Sequence, residues 1–213
     1  MFPTVQSYFR AFNEPFEGAV PYMYLDVKGL VTVGVGNLID PAELATALPF
    51  RFKSAPAIQA SRNQIEAEWQ KLKCDPSLAK RGHRACAALT ELELSSDAID
   101  NLISHRLTSD ETLLKSQGAF HAFDNWPADA QLSLLSMAWA MGADGFRRFP
   151  NFRGACQKMD FQTAAKESRL DVTGNPGVIP RNQANFTLLF NAAIVLTENL
   201  RRSNLYYPGS PTP

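Results

Sequence analysis

Between residues 17 and 38 the apolar pattern changes period, and no other stretch narrows the architecture as much. Residues 7–14 (SYFRAFNE) space their apolar side chains as one face of a helix does. Residues 22–25 (YMYL) and 30–35 (LVTVGV) are instead rich in strand formers, and Asp26 to Gly29 between them have turn chemistry. The segment therefore predicts a helix that runs into a β-hairpin. In that arrangement Glu17 lies near the helix end, Asp26 ends the first strand and Thr32 sits on the returning strand. Gly34 and Gly36 alternate with Val33 and Val35, which predicts a strand face bare of side chains where a ligand or another backbone approaches closely.

An acid, a second acid and a hydroxyl on one hairpin suit the cleavage of a glycosidic bond. That reaction needs one group to protonate the leaving oxygen and another to activate water or stabilise the developing oxocarbenium ion. Each residue also has an ordinary reading, as a surface carboxylate, a turn Asp or a strand Thr. The joint spacing distinguishes them: nine positions from Glu17 to Asp26, six more to Thr32, then Gly34-x-Gly36. Together with Gly18, Gly29 and Leu38, it resembles the catalytic hairpin of the T-even phage lysozymes and their relatives among phage endolysins and bacterial muramidase toxins. The resemblance implies that Glu17 is the general acid, Asp26 the second carboxylate, Thr32 a residue that helps place the attacking water, and Leu38 a substrate contact. Asn37 departs from it, because family members commonly carry a structural His there, and a local ion pair is thereby put in doubt. The phage members invert the anomeric centre, so the resemblance also implies carboxyls roughly 6.5 to 9.5 Å apart, where about 5 Å would mean retention.

The likeness extends further along the chain. Residues 131–142, followed by Gly145 and Phe146, look like the central helix of that family and the turn that ends it. Independently of any family, this segment is apolar on every side, with Pro127 near its start and Gly142 placed to cap its end, and so predicts a helix buried in a domain. Trp139 matches a family position bordering the saccharide cleft, while a core Trp is the ordinary reading. Asn151, Glu167 and Ser168 fall near family cleft positions, across a small insertion. The turn-rich run from Asp171 to Pro180 leads to Arg181, which matches a family Arg that lies against the catalytic Glu; the ordinary reading is a surface residue at a helix start. Such an Arg would lower the acid's pKa and burial would raise it. A strongly apolar helix is expected from about Gln183 to Arg201.

These elements predict a mainly α, α+β fold of lysozyme-like type, one domain over residues 1–213. Its parts are a small N-terminal lobe with the hairpin (about 1–40), an insert (about 41–93), and a connecting helix with a larger C-terminal helical lobe (about 94–205). The polymer is expected between the lobes, and the tail 206–213 is expected to fray. Within the insert, Ser61 to Gln64 fits a capping box, and Ile65, Trp69 and Leu72 recur at helical spacing; Pro49, Pro56 and Pro76 bound looser pieces. The connecting helix begins at Ser95 or Ser96 and carries Ile99, Leu102, Ile103 and Leu107 on one face.

The chain has 213 residues, 45% of them hydrophobic, which is enough for one large domain or for two lobes sharing a helix. Lys and Arg balance Asp and Glu at a formal net charge of zero, so nucleic acid is not an expected partner and long-range attraction to an anionic cell wall is weak. Cys74, Cys86 and Cys156 are odd in number and widely spaced, which argues against a disulfide framework and for folding in a reducing compartment. His83, His105 and His121 lack metal-ligand spacing, and there is no cofactor motif. No apolar run is long enough for membrane insertion, and the N terminus lacks the features of a secretory signal. The expected enzyme is thus a cofactor-free, metal-free monomer, made in the cytoplasm and acting on the cell wall. Its expected partners are peptidoglycan and, in a toxin setting, an immunity or inhibitor protein. The activity implied is hydrolysis of the β-1,4 bond between N-acetylmuramic acid and N-acetylglucosamine. A phage endolysin and an antibacterial effector toxin would share this site, and the long insert favours the toxin. A chitinase-like amino-sugar glycosidase and a non-catalytic wall-binding module on the same fold are the alternatives.

Overall fold

The computed structural model describes residues 1–173 and 177–212. Helices dominate, with two small antiparallel sheets, in keeping with the α+β class. The chain divides into two compact units, one of residues 17–104 and one of residues 1–16 with 105–213. The first helix, α1 (Pro3–Glu17), is amphipathic, burying Val5, Phe9 and Phe12, and Glu17 is its last residue.

In the hairpin unit, β1 (Val20–Leu25), β2 (Val31–Gly34) and β3 (Asn37–Leu38) form a sheet in that order. The first turn closes where Gly29 N donates to the Asp26 carbonyl at 2.9 Å, with Gly29 at φ 75°. Gly34 and Gly36 play a different part from the one expected. They do not bare a strand face; Val33 pairs with Asn37, and the chain reverses between them with Gly34 at φ 65° and Gly36 at φ 70°. A Cβ at position 34 would lie 3.2 Å from Asn37 Oδ1 and 3.4 Å from Ile99 Cγ2. Gly34→Ala is therefore expected to cost about 1–2 kcal/mol, mostly from the left-handed backbone, as read by chemical denaturation.

The expected insert belongs to this unit. It runs through α2 (Ala42–Thr46), β4 (Arg51–Phe52), β5 (Ala55–Gln59), α3 (Arg62–Lys73), α4 (Leu78–Arg81), α5 (His83–Ala87) and β6 (Leu92–Glu93). Helices α3 and α5 and strand β6 pack on β1, so the hairpin and the insert share one body, while residues 1–16 go with the helical unit. The capping box is present: Ser61 accepts from Gln64 N, Gln64 reaches back to Ser61 N, and Ile65, Trp69 and Leu72 are buried. Where loose pieces were expected around Pro49 and Pro56, a second sheet forms in the order β5-β4-β6. Pro56 is accommodated because β5 is an edge strand. The buried Glu68 carboxylate accepts from Glu91 N and Leu92 N beside this sheet; burial raises its pKa against those two bonds. Helix α6 (Ser96–Lys115) starts with Ser95 Oγ accepting from Ala98 N at 3.1 Å and buries Ile99, Ile103 and Leu107.

In the helical unit, α7 (Ala128–Met141) is buried from Ala128 to Trp139, with Pro127 before it and Gly142 at φ 77° ending it. Helix α10 (Val178–Thr197) packs on α7, α9 (Phe161–Glu167) packs on α10, and α8 (Pro150–Gln157) packs on α9. Phe120, Trp126, Phe146, Phe152 and Phe161 form a linked aromatic core, with centroids 5.1 Å apart for Phe120 and Phe146 and 5.2 Å for Trp126 and Phe161. Helix α10 begins five residues before Gln183, and Pro180 is tolerated because it lies in the first turn. Of the turn-rich run before it, Gly174, Asn175 and Pro176 lie outside the described residues, as does Pro213 of the tail. The rest of the tail is not frayed. Tyr206 N and Tyr207 N donate to the Asp129 carboxylate at 3.0 Å each, Asn191 Nδ2 reaches Gly209 O at 2.8 Å, and Tyr207 packs edge-on against Phe12.

Candidate active site on the hairpin

Glu17 closes α1 and is half-buried. Asp26 follows β1 directly, and its Oδ1 accepts from Lys28 N at 2.8 Å and Leu30 N at 2.9 Å. Both bonds fall on one oxygen, so toward a ligand Oδ2 is the free acceptor among the described residues. Thr32 is buried on β2, and its Oγ1 donates to Leu30 O at 3.2 Å. With its proton so used, the hydroxyl meets a water as an acceptor.

The register joins these residues. Tyr24 stands opposite Thr32, and Thr32 stands opposite Leu38, so the three form one row on one face of the sheet. Leu38 is 52% exposed at the end of that row. Tyr24 also feels the charge of both acids. Its phenol is pushed up to about 12, first by burial, then by the negative charges of Glu17 and of Asp26. Tyr24 is thus a member of the site that sequence reasoning took for a strand former. The turn residues alone do not give this register: a two-residue loop between Asp26 and Gly29 would put position 24 opposite 31, and the three-residue loop closed by Asp26 N donating to Leu30 O at 2.9 Å puts it opposite 32.

The insert pins this hairpin from behind. Lys73 Nζ, at the end of α3, donates to Gly29 O at 2.9 Å and pairs with Asp40 Oδ2 at 2.5 Å, while Val31 N donates to the same Asp40 oxygen at 3.1 Å. Trp69 Nε1 donates to Ile39 O at 3.0 Å. Burial alone would raise the Asp40 pKa, but the bonds from Lys73 and Val31 outweigh it and leave it lowered. A lowered carboxylate contributes stability above its unfolded pKa and loses it as pH falls through the folded value, so this pin holds at neutral pH and fails in acid. Lys73→Met removes the ammonium and keeps the stem. Because a misplacement of ~1 Å can cost 10²-fold, a drop of about tenfold in kcat is expected, with KM little changed, by steady-state kinetics. Asn37 Oδ1 is buried with no hydrogen-bond partner among the described residues.

The remaining expected residues lie in the helical unit. Arg181 is in the first turn of α10 but is 3% exposed, so it is not a surface residue. Its Nη1 donates to Ser136 O at 2.9 Å, and its guanidinium lies 5.0 Å from the Phe16 ring centroid. Trp139 is 4% exposed, with Phe9 at 5.0 Å on one side and the Arg106 guanidinium 3.8 Å from its ring centroid. The structure places it as a core residue. Asn151 and Glu167 come together, Asn151 Nδ2 donating to Glu167 Oε2 at 3.3 Å, and the neighbouring Ser168 is buried with its hydroxyl on Ala165 O. No group of three or more His, Cys, Asp or Glu among the described residues is placed to hold a metal ion, and no helix among them is long and apolar enough to cross a membrane.

The likeness to the phage lysozymes rests on the residues themselves, since no protein-family model matches the chain and no curated protein matches it.

Proposed function

We propose that the chain is a peptidoglycan hydrolase of muramidase type, cleaving the β-1,4 bond between N-acetylmuramic acid and N-acetylglucosamine. One observation carries this reading: the turn that Asp26 closes sets the register in which Tyr24, Thr32 and Leu38 form one row, next in the chain to the end of α1 that carries Glu17. In this reading the two carboxyls and the Thr32 hydroxyl serve one site. In the reaction Glu17 gives its proton to the glycosidic oxygen as the bond to the anomeric carbon breaks. A water donating to Asp26 Oδ2 and Thr32 Oγ1 directs its lone pair at that carbon, and Asp26 takes the water's proton. Such a water attacks from the face opposite the leaving group, so inversion is the outcome this arrangement favours.

The test is incubation of the purified protein with peptidoglycan and with chitin oligomers, with products read by mass spectrometry and the first-formed anomer by NMR. Muropeptides with new reducing N-acetylmuramic acid ends, released as the α-anomer, are the expected result. Cleavage of chitin alone would make the chain a neighbouring amino-sugar glycosidase, and cleavage of neither would leave a wall-binding module. For the setting we favour an antibacterial effector over a phage endolysin, because the hairpin unit is enlarged by the insert and the net charge of zero offers little long-range attraction to the wall.

A further inference from the structure

One flank of the hairpin carries an aromatic group that the acid chemistry leaves unused. His83, the first residue of α5, is exposed, and its Nδ1 lies 3.0 Å from the Tyr22 hydroxyl. Its ring centroid is 6.3 Å from that of Tyr22 and 6.1 Å from that of Tyr24, edge-on to the latter. Tyr22 is held from another side by Lys53, whose Nζ sits 4.5 Å from the ring centroid. That ammonium is itself tied to Ala87 O at 3.1 Å, Thr90 O at 2.8 Å and Thr90 Oγ1 at 2.7 Å. The group is therefore fixed before any ligand arrives, and His83 adjoins the tyrosine that stands in register with Thr32.

We propose that His83, supported by Tyr22, is a sugar-binding platform flanking the acid pair, which takes an amino-sugar ring of the glycan and is supplied by the insert; the proposal rests on the muramidase reading above. A pyranose presents a C–H face that packs on an aromatic ring and equatorial polar groups that seek donors at the ring edge. In the tautomer whose Nδ1 accepts from the Tyr22 hydroxyl, the proton of the imidazole is on Nε2, where it can be given to a hydroxyl or acetamido oxygen of the sugar. The row on the hairpin runs from Leu38 through Thr32 to Tyr24, and His83, supplied by the insert, adjoins its Tyr24 end, so the platform makes the site longer on that side.

The test uses the full chain in a Glu17→Gln background, which keeps the glycan intact, and a soluble hexasaccharide of alternating N-acetylglucosamine and N-acetylmuramic acid. Calorimetric affinity is expected to fall about tenfold in His83→Ala and to stay within about threefold in His83→Phe, which keeps the stacking face. Tyr22→Phe, which frees the imidazole, is expected to weaken binding by about threefold. Thermal melts confirm that each variant folds. In the protein with His83 intact, one of three histidines in the chain, its ring-proton resonances are expected to shift as the sugar is added and to saturate with the calorimetric affinity. Unchanged affinity in His83→Ala, equal losses in His83→Ala and His83→Phe, or a stationary His83 signal would each overturn the platform. If these appear while the unmodified protein still cuts peptidoglycan, the platform alone is wrong. If the unmodified protein neither cuts nor binds, the muramidase reading fails and takes the platform with it.

Discussion

Glu17→Gln is expected to slow peptidoglycan hydrolysis by about 10²- to 10⁴-fold, the range a positioned general acid supplies, while leaving the fold in place. The amide matches the acid in shape and cannot deliver a proton to the leaving oxygen. Position argues for function here. A carboxylate in the last turn of α1 faces the negative end of the helix dipole, a place that stability alone does not favour. Half-buried at a helix end, the side chain can change without opening a core cavity, and the melting temperature is expected to stay within about 4 °C. Asp26→Asn makes the companion measurement. Its Oδ1 can still accept from Lys28 N and Leu30 N, so the turn survives, but an amide replaces the oxygen that takes the water's proton. A similar loss of kcat is expected there. Muramidase activity near the unmodified level in Glu17→Gln, at unchanged stability, would remove Glu17 from the role of acid.

The features that could be read from the sequence are those encoded by neighbours in the chain. The hairpin follows from runs of strand formers around the Asp26 turn, α3 from the Ser61 capping box, and α7 from an apolar stretch closed by Pro127 and Gly142. What escaped depends on residues far apart in sequence. The clamp of Lys73 on Gly29 O and Asp40 joins positions 44 and 33 residues apart, and no local period announces it. The second sheet has strands of two residues in β4 and β6 and a Pro in β5, which is too little pattern for any strand rule. Gly34 and Gly36 alternate as strand residues do, yet they serve a reversal, because a positive φ leaves no mark on periodicity. In the candidate site the acids and Thr32 were legible from spacing, whereas Tyr24 required the register. The burial of Arg181 required the start of α10, which apolar content alone set too late.

That long-range logic is strongest at Asp129, where removal of one side chain is expected to be among the most destabilising changes in the helical unit. Its carboxylate is fully buried at the start of α7 and accepts from Tyr206 N, Tyr207 N and Asn191 Nδ2, joining the C-terminal segment to α7 and α10. Asp129→Ala leaves three donors without their acceptor, and a loss of about 3–5 kcal/mol is expected in chemical denaturation. Amide exchange should rise first at Tyr206 and Tyr207, because their N–H groups lose their partner while the aromatic core stays closed. The pH dependence has a definite sign. Burial raises the Asp129 pKa, and the hydrogen bonds from Tyr206, Asn191 and Tyr207 only partly offset it. A carboxyl raised above its unfolded value of about 3.9 stabilises the fold most below that value and loses the contribution as pH rises through the folded pKa. The gap between the unmodified protein and Asp129→Ala is therefore expected to be wider near pH 4 than near pH 8, opposite in sign to the effect of the Asp40 pin. A gap that widened with rising pH would show that the three donors outweigh desolvation and that Asp129 is held as a stabilised anion.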